Sequence, residues 1–172
     1  MFNYKSLPEV LALASAKNEA PFLLVLDGIE DPHNFGAILR TAEAAGLHGV
    51  IIRKNRQVQV TETVERVSTG AARKVAVVRV PNIAEVISSL KKLEILALGV
   101  EIDGKRLYNE VDLRGPLALV IGSEGYGLSR LVKERCDEVI RLPMRGEINS
   151  LNASVAAGIS MYEVLRQRSQ QK

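Results

Sequence analysis

Polar side chains that could do chemistry occur in three short loops of this 172-residue chain. The first loop, DPHNFGAILR, contains Asn34 and, six residues later, Arg40. An asparagine here is an ordinary N-cap for a helix beginning near Gly36, and the glycine would permit a tight turn. Arg40 has a different potential use, because a guanidinium in the first or second turn of a helix can bind phosphate or an oxyanion.

The second loop, IGSEGYGL, has three glycines in six residues and spans 121–128. Glycines let a backbone pass close to a ligand and offer it N–H groups. The loop is not a Walker A motif, because no Gly-Lys-Ser/Thr follows, and its spacing and late position do not fit a dehydrogenase's dinucleotide fingerprint. Glu124 would repel phosphate. The loop therefore favours a ligand with an amine, a ribose or a sulfonium.

The third loop, LPMRGEINSLNAS, permits two interpretations. Ser150 and Asn152 could simply cap the final helix, with Leu142 and Met144 in the core. Alternatively, the apolar side chains and free backbone groups wrap an adenine-sized ligand, and the polar side chains at the helix entrance face a substrate. The residues of this loop alone do not decide between the two.

The elements that must position these loops are strands alternating with helices. Six apolar runs rich in β-branched residues predict an α/β fold with a mostly parallel six-stranded sheet and helices on both faces. Ligands bind such sheets at the carboxyl ends of the strands, where all three loops are expected. The predicted strands are 22–27, 49–53, 75–80, 94–100, 117–123 and 138–143.

The apolar residues have the spacing of a helix in four segments, namely 36–46, 61–72, 82–92 and 152–167. Ser6 and Pro8 predict the start of a further helix near the N-terminus, and Gly46 is a suitable C-cap. In the last helix we expect four apolar side chains to be buried, namely Val155, Ile159, Tyr162 and Leu165.

Composition excludes several kinds of site. One cysteine and two histidines permit no internal disulfide and no ordinary zinc cluster, so no metal is expected. Neither a secretory signal nor an apolar run of about 20 residues is found, which favours a cytoplasmic protein with no membrane contact.

The net charge of +3 permits RNA binding without requiring it. The basic residues of the chain form four clusters: Arg53, Lys54 and Arg56; Arg73 and Lys74; Lys133 and Arg135; and Arg166 and Arg168.

Taken together and in this order, the three loops resemble the three signature motifs of the SpoU (TrmH) branch of the SPOUT methyltransferases. The matching segments are 34–41, 121–128 and 142–154, and the resemblance extends over about 21–168. Within that branch the chain is most similar to the RlmB-like enzymes, which methylate a guanosine ribose in large-subunit rRNA. A tRNA 2′-O-methyltransferase and a non-catalytic knotted RNA-binding relative remain as alternatives.

The resemblance implies S-adenosylmethionine as cofactor, RNA as partner with rRNA favoured, a homodimer, and a C-terminal deep trefoil knot. It also implies a catalytic domain over 21–172, preceded by a linker-like segment over 1–20. RlmB-like proteins usually carry a small N-terminal RNA-binding domain, which we expect to be absent here. A chain that folds fully but is inactive without that domain is a further alternative.

The site residues also follow from the resemblance. Arg40 would lie nearest the ribose 2′-hydroxyl and stabilise developing negative charge, since a guanidinium resists acting as a base. Asn34, Glu124, Ser150 and Asn152 would position ribose, phosphate or Arg40. The residues expected to hold the cofactor are Leu98, Gly99, Ile121, Gly122, Ile140, Leu142, Met144, Ser150 and Leu151.

Overall fold

A computed structural model describes residues 1–171 and contains one parallel sheet. Its strands are β1 (Phe22–Asp27), β2 (Gly49–Arg53), β3 (Ala76–Val80), β4 (Leu96–Val100), β5 (Arg106–Leu107), β6 (Leu117–Gly122) and β7 (Glu138–Arg141). They lie in the order β3-β2-β1-β6-β4-β7-β5, and each neighbouring pair is parallel. The predicted α/β fold is confirmed. The count of six strands is wrong, because two-residue β5 is too short to produce an apolar run.

Helices cover both faces of the sheet, as predicted. They are α1 (Leu7–Ala16), α2 (Pro32–Ala45), α3 (Glu62–Val67), α4 (Ile83–Lys92), α5 (Arg130–Arg135) and α6 (Ala153–Ser169), with a short 3-10 turn at Ala71–Arg73. One core contains the buried faces of α2 and α6, including Phe35 and Met161. The other contains those of α1, α4 and α5, including Val10, Leu90 and Val132. No helix in residues 1–171 is both long and apolar enough to cross a membrane.

The helix ends agree with the predicted caps at three places. Ser6 forms a capping box at the start of α1, Gly46 ends α2 with a φ of 80°, and Asn152 caps α6. The helix expected over 61–72 is interrupted instead, because α3 ends at Val67 and Gly70 adopts a φ of 88° before the 3-10 turn. A left-handed residue cannot continue an α-helix.

The start of α2 differs from the prediction in a way that matters for function. Asp31 caps the helix by accepting a hydrogen bond from the His33 N–H (2.9 Å), and Pro32 occupies its first turn. Asn34 is therefore not the cap, and Gly36 lies within the helix and not in a turn. A Cβ at Gly36 would lie 2.6 Å from Val67 Cγ1, so the glycine allows α2 and α3 to pack closely.

The final helix buries a different face from the one expected. Val155, Ile159 and Tyr162 are 48%, 39% and 49% exposed, so their predicted burial is wrong. The buried face, on the side of α2 and β6, carries Ala157, Ser160, Met161 and Val164. Because α6 has two apolar stripes, its periodicity alone could not identify the buried one.

The ends of the chain pack onto the same sheet. Lys5 forms a parallel bridge with Val78, and Val10 of α1 occupies the space that a side chain at Gly49 would need. Strand β7 lies between β4 and β5 in the sheet. After β7 the chain passes along 142–152 into α6. Threading of this segment through a trefoil knot stays a prediction.

Candidate active site

A cavity of about 700 Å³ lies at the carboxyl ends of β4, β6 and β7. Ligand pockets typically measure about 300–1,000 Å³, so the cavity is large enough for a nucleoside-sized cofactor. Most of the residues that the sequence predicted as cofactor ligands line it. They are Ile121, Gly122, Leu142, Met144, Ser150 and Leu151, and two residues of the predicted catalytic set, Glu124 and Asn152, line it too.

The structure does not bring three other predicted cofactor ligands to the cavity. Leu98, Gly99 and Ile140 lie inside strands β4 and β7 and are absent from its lining. Beside Gly99 the space is filled, since a Cβ there would lie 2.7 Å from Leu128 Cδ1. Strand β4 continues to Val100, so the cavity begins one residue later than expected.

Sequence reasoning missed the segment that follows β4. Glu101, Ile102 and Asp103 all line the cavity. The available signal was their position, since they directly follow a buried strand at the edge where the other loops lie.

Three polar side chains, one from each motif, form a hydrogen-bonded network beside the cavity. Asn34 Nδ2 donates to Glu124 Oε1 (2.9 Å), and Asn152 Nδ2 donates both to Asn34 Oδ1 (3.0 Å) and to Glu124 Oε1 (2.9 Å). Asn34 is buried, in the first turn of α2. The structure thus brings Asn34, Glu124 and Asn152 together, although they lie up to 118 residues apart.

Asn152 caps the final helix, as the first interpretation predicted, and it also lines the cavity. Its Oδ1 accepts hydrogen bonds from the backbone N–H groups of Ser154 (2.9 Å) and Val155 (3.3 Å), as an N-cap does. Its Nδ2 is left to join the network. The start of α6 and the loop after β6 are therefore held in one arrangement. Ser150, two residues earlier, lines the cavity.

The loop after β6 needs its glycines. Ser123 and Gly127 pair through two backbone hydrogen bonds of 3.1 and 2.9 Å, which closes a tight turn. Gly125 and Gly127 have φ values of 84° and 67°, and a Cβ at Gly122 would overlap the carbonyl group of Gly127. The turn leaves Tyr126 93% exposed on the cavity lining. Glu124 is held toward the network while the backbone stays close to the cavity.

Glu101 holds the other end of this loop. Its Oε1 accepts the backbone N–H of Leu128 at 2.6 Å, and its Oε2 lies 2.7 Å from Lys133 Nζ. Lys133 also contacts Asp103 Oδ2 at 2.6 Å. Hydrogen bonds to Asp103 and Glu101 raise the pKa of Lys133 to about 12, so this bridge stays charged at neutral pH.

Arg40 is not part of the network within one chain. It is exposed in α2 and does not line the cavity, and its side chain forms no hydrogen bond or ion pair with any other residue in 1–171. It lies six residues after Asn34, which on an α-helix is about 9 Å along the axis and about 240° around it. Because α2 starts at Pro32, Arg40 falls in the third turn, later than expected.

Comparison with known proteins agrees with this geometry. The family model described as the SpoU rRNA Methylase family matches residues 21–162, which include all three motifs. The chain belongs to this family. The SpoU membership expected from the motifs is confirmed.

Relatives in this family are similar over nearly the whole chain. A Bacillus subtilis protein named YacO, classed with the TrmH family tRNA/rRNA methyltransferases, is 50% identical over 167 residues, which cover 97% of this chain and 67% of the relative. A Staphylococcus saprophyticus protein of the same class is also 50% identical, with the same coverage of both chains.

Solved SpoU structures share the fold. The methyltransferase AviRb of Streptomyces viridochromogenes, in complex with AdoMet, gives a TM-score of 0.87 at 30% identity, covering 98% of this chain and 66% of AviRb. A TrmH/SpoU tRNA modifying enzyme of A. aeolicus gives 0.82 at 28% identity, with 95% and 84% covered. The chain spans about two thirds of the length of YacO and AviRb. It is a member of an S-adenosylmethionine-dependent RNA methyltransferase family, as the motifs predicted.

Proposed function

We propose that this SpoU family chain methylates a ribose 2′-hydroxyl of RNA, and that its target is a guanosine of large-subunit rRNA. The observation that carries the proposal is the network of Asn34, Glu124 and Asn152, of which Glu124 and Asn152 line the cavity. A module that only binds RNA has no need for three polar side chains locked together beside a ligand-sized cavity. The rRNA guanosine is proposed from the resemblance of the motif sequences to the RlmB-like enzymes.

The residues present fit S-adenosylmethionine. Apolar side chains of Ile121, Leu142 and Met144 line the cavity, and Tyr126 is free to cover an aromatic ring. The glycine turn brings backbone groups to the same space, where they can bind the polar edges of a nucleoside. When bound, the cofactor supplies a methyl group already activated by its attachment to a sulfonium.

The protein must then help the hydroxyl to react. With the cofactor bound, the ribose oxygen would accept the methyl group, the electron pair of the carbon–sulfur bond would remain on sulfur, and the hydroxyl proton would pass to solvent water. A fixed positive charge near that oxygen would stabilise the developing negative charge. We assign this role to Arg40, and we assign positioning of the ribose to Asn34, Glu124, Ser150 and Asn152. Arg40 is outside the cavity of its own chain. Either the Arg40 of a second chain reaches this cavity, or RNA binding moves Arg40 towards the reacting oxygen.

A homodimer is part of this proposal, supported by the exposed apolar stripe of α6. Val155, Ile159 and Tyr162 lie on one helical face and are each at least 39% exposed. Such a face is stabilised when a second copy covers it. Light scattering should show a dimer for the natural chain and a monomer for Ile159→Glu. A natural chain that is monomeric at micromolar concentration would contradict the dimer.

The activity itself can be tested with the Arg40→Ala variant. We expect loss of tritiated methyl transfer with unchanged S-adenosylmethionine binding measured by calorimetry. Retained transfer would exclude Arg40 from the chemistry, and absence of cofactor binding by the natural chain would favour a non-catalytic relative.

The substrate is tested separately, by mass mapping of 2′-O-methylation in rRNA and tRNA from cells with and without the full-length protein. Loss of a guanosine methyl group from large-subunit rRNA supports our assignment. Loss of a tRNA methyl group supports the tRNA alternative instead.

We further propose that 21–172 is the catalytic unit, that 1–20 is a connecting segment, and that the protein acts in the cytoplasm. The buried free thiol of Cys136 is compatible with that reducing compartment. Because Val10 of α1 is buried in the core, the test is whether a purified 21–172 chain folds and binds S-adenosylmethionine; a chain that does neither would contradict the division.

A further inference from the structure

Most of the basic clusters seen in the sequence are neutralised or engaged in the folded chain. Lys133 and Arg166 form ion pairs with neighbouring carboxylates. Arg135 donates to Ser88 Oγ (2.6 Å), and Arg168 donates to three backbone carbonyl oxygens. These cations support the fold, so they are poor candidates for binding an external anion.

The cluster of Arg73 and Lys74 is also unsuited to the cavity. Arg73 lies 2.8 Å from Glu65. Lys74 is exposed, but it precedes β3 and so lies at the amino edge of the sheet, opposite the cavity.

The remaining cluster, the basic loop at 53–56, keeps two free cations at the carboxyl edge. It follows β2, and both Lys54 and Arg56 are exposed. Within residues 1–171 their side chains form neither an ion pair nor a hydrogen bond. Arg53 is half-buried, and its guanidinium lies 3.5 Å from the buried Asp27 carboxylate. The basic loop is thus the one cluster whose exposed cations share an edge with the proposed active site.

Two glutamine side chains hold the basic loop in a defined shape. Gln57 Oε1 accepts the backbone N–H groups of Arg53 and Gly28, each at 3.2 Å. Gln59 Nε2 donates to the carbonyl oxygens of Arg53 and Gln57, each at 3.0 Å. Arg56 takes a left-handed φ of 58° between them. A loop organised before binding loses less entropy when it captures a ligand.

The basic loop is also connected to the cavity. A Cβ at Gly28 would lie 3.5 Å from the Cβ of Ser123, which lines the cavity. Asp27, beside Arg53, accepts the backbone N–H of Ser129 at 2.7 Å just after the glycine turn. Strands β2 and β6 are two positions apart in the sheet, a separation of about 10 Å at the usual strand spacing. That distance suits the backbone of an RNA strand passing beyond its target nucleotide.

We propose that the basic loop binds phosphate groups of the substrate RNA next to the methylated nucleotide, through Lys54 and Arg56. The inference rests on the proposed function, because it takes the anion to be the RNA whose ribose enters the active site. Contacts of lysine and arginine with phosphates fix the register of a nucleic acid without reading its sequence. The loop therefore contributes affinity and position, and leaves the choice of base to other parts of the protein.

The test compares two double variants that remove the same charge. Lys54→Gln with Arg56→Asn removes both loop cations, and asparagine tolerates the left-handed conformation at position 56. Lys74→Gln with Lys92→Gln removes two exposed lysines elsewhere. Binding of a fluorescein-labelled, mixed-sequence single-stranded RNA of 20 nucleotides is measured by anisotropy over a range of salt concentrations. Arg56→Lys, which keeps the charge, is a third variant.

We expect the loop variant to bind this RNA about tenfold more weakly, with its salt slope smaller by about 1.4, as two lost phosphate contacts require. The control should change less than twofold, and Arg56→Lys should keep most of the affinity. Equal weakening of both double variants would overturn the proposal, as would an unchanged loop variant or no RNA binding by the natural chain. An equal loss of binding to a polyglutamate peptide would also overturn it, in favour of an acidic protein partner.

Failure of the proposed function would look different. If the natural chain transferred no methyl group to rRNA or tRNA but the loop variant still lost RNA affinity selectively, the methyltransferase assignment would fail while the RNA surface stood. If transfer occurred with the same KM for RNA in the loop variant and the natural chain, the surface would fail alone.

Discussion

Glu101 offers a direct test of how the cofactor cavity is held open. This residue does not belong to any of the three motifs, yet its carboxylate accepts the Leu128 N–H at 2.6 Å and contacts Lys133 at 2.7 Å. Leu128 follows the glycine turn that lines the cavity and is buried. We predict that Glu101→Ala weakens S-adenosylmethionine binding, because the turn loses one of its two anchored ends.

The expected magnitude follows from the contacts that are lost. A largely buried N–H group left without an acceptor costs about 1–3 kcal/mol. The ion pair with Lys133 is part-exposed, and Lys133 keeps Asp103 as a partner, so its loss adds at most about 1 kcal/mol. If cofactor binding must restore the whole turn, a total of about 2 kcal/mol raises the dissociation constant roughly 30-fold, which is the upper limit of the effect. Glu101→Gln retains a carbonyl oxygen for the Leu128 N–H, so we expect a change of only about threefold.

Calorimetry with S-adenosylmethionine measures the binding of the natural chain and both variants, and thermal unfolding measures their stability in parallel. A cofactor affinity of Glu101→Ala equal to that of the natural chain would refute the reasoning. So would equal losses in the alanine and glutamine variants, because the hydrogen bond to Leu128 would then not be the important contact.

Three further predictions concern the core. Burial lowers the pKa of His48, against the opposing effect of Glu19, and its Nδ1 accepts the Phe22 N–H at 2.9 Å. Because the unfolded chain protonates this histidine at about pH 6.5, stability in urea should fall as pH drops below that value, and less so in His48→Asn. Burial raises the pKa of Cys136 to about 12, so iodoacetamide should label it slowly until the chain is unfolded. Gly36→Ala should lower the free energy of unfolding by about 1–3 kcal/mol, since its Cβ would overlap Val67; an unchanged urea midpoint would contradict this.

The sequence was sufficient to predict that the three loops meet at one edge of the sheet, because that depends on simple periodic features. Continuous apolar runs identified six strands with ends within about two residues of those observed. Parallel strands place their carboxyl ends at one edge, so the loops that follow them were expected to meet there. The contact of Asn34, Glu124 and Asn152 is the result.

Particular side-chain roles were less predictable because several residues could satisfy the same local rule. Asp31 and Asn34 are both good N-caps, and Pro32 was the available signal that the helix begins at the earlier position. The position of Glu101 after β4 indicates the edge of the sheet but not its role, since it bonds a backbone N–H group 27 residues further along the chain. A strand of two residues, such as β5, is too short to show alternation.

The final helix shows why periodicity cannot replace structure at an interface. Its spacing correctly indicated an apolar face at Val155, Ile159 and Tyr162, but spacing does not say whether a face meets the same chain or another molecule. The same ambiguity applies to Arg40, which the motif assigns to the chemistry and the fold leaves exposed on the neighbouring helix. If a second copy brings Arg40 to the cavity, Ile159→Glu should abolish methyl transfer together with the dimer. Transfer by a monomeric Ile159→Glu chain would instead mean that no second copy is needed, and that Arg40 of the same chain reaches the reacting oxygen when RNA binds.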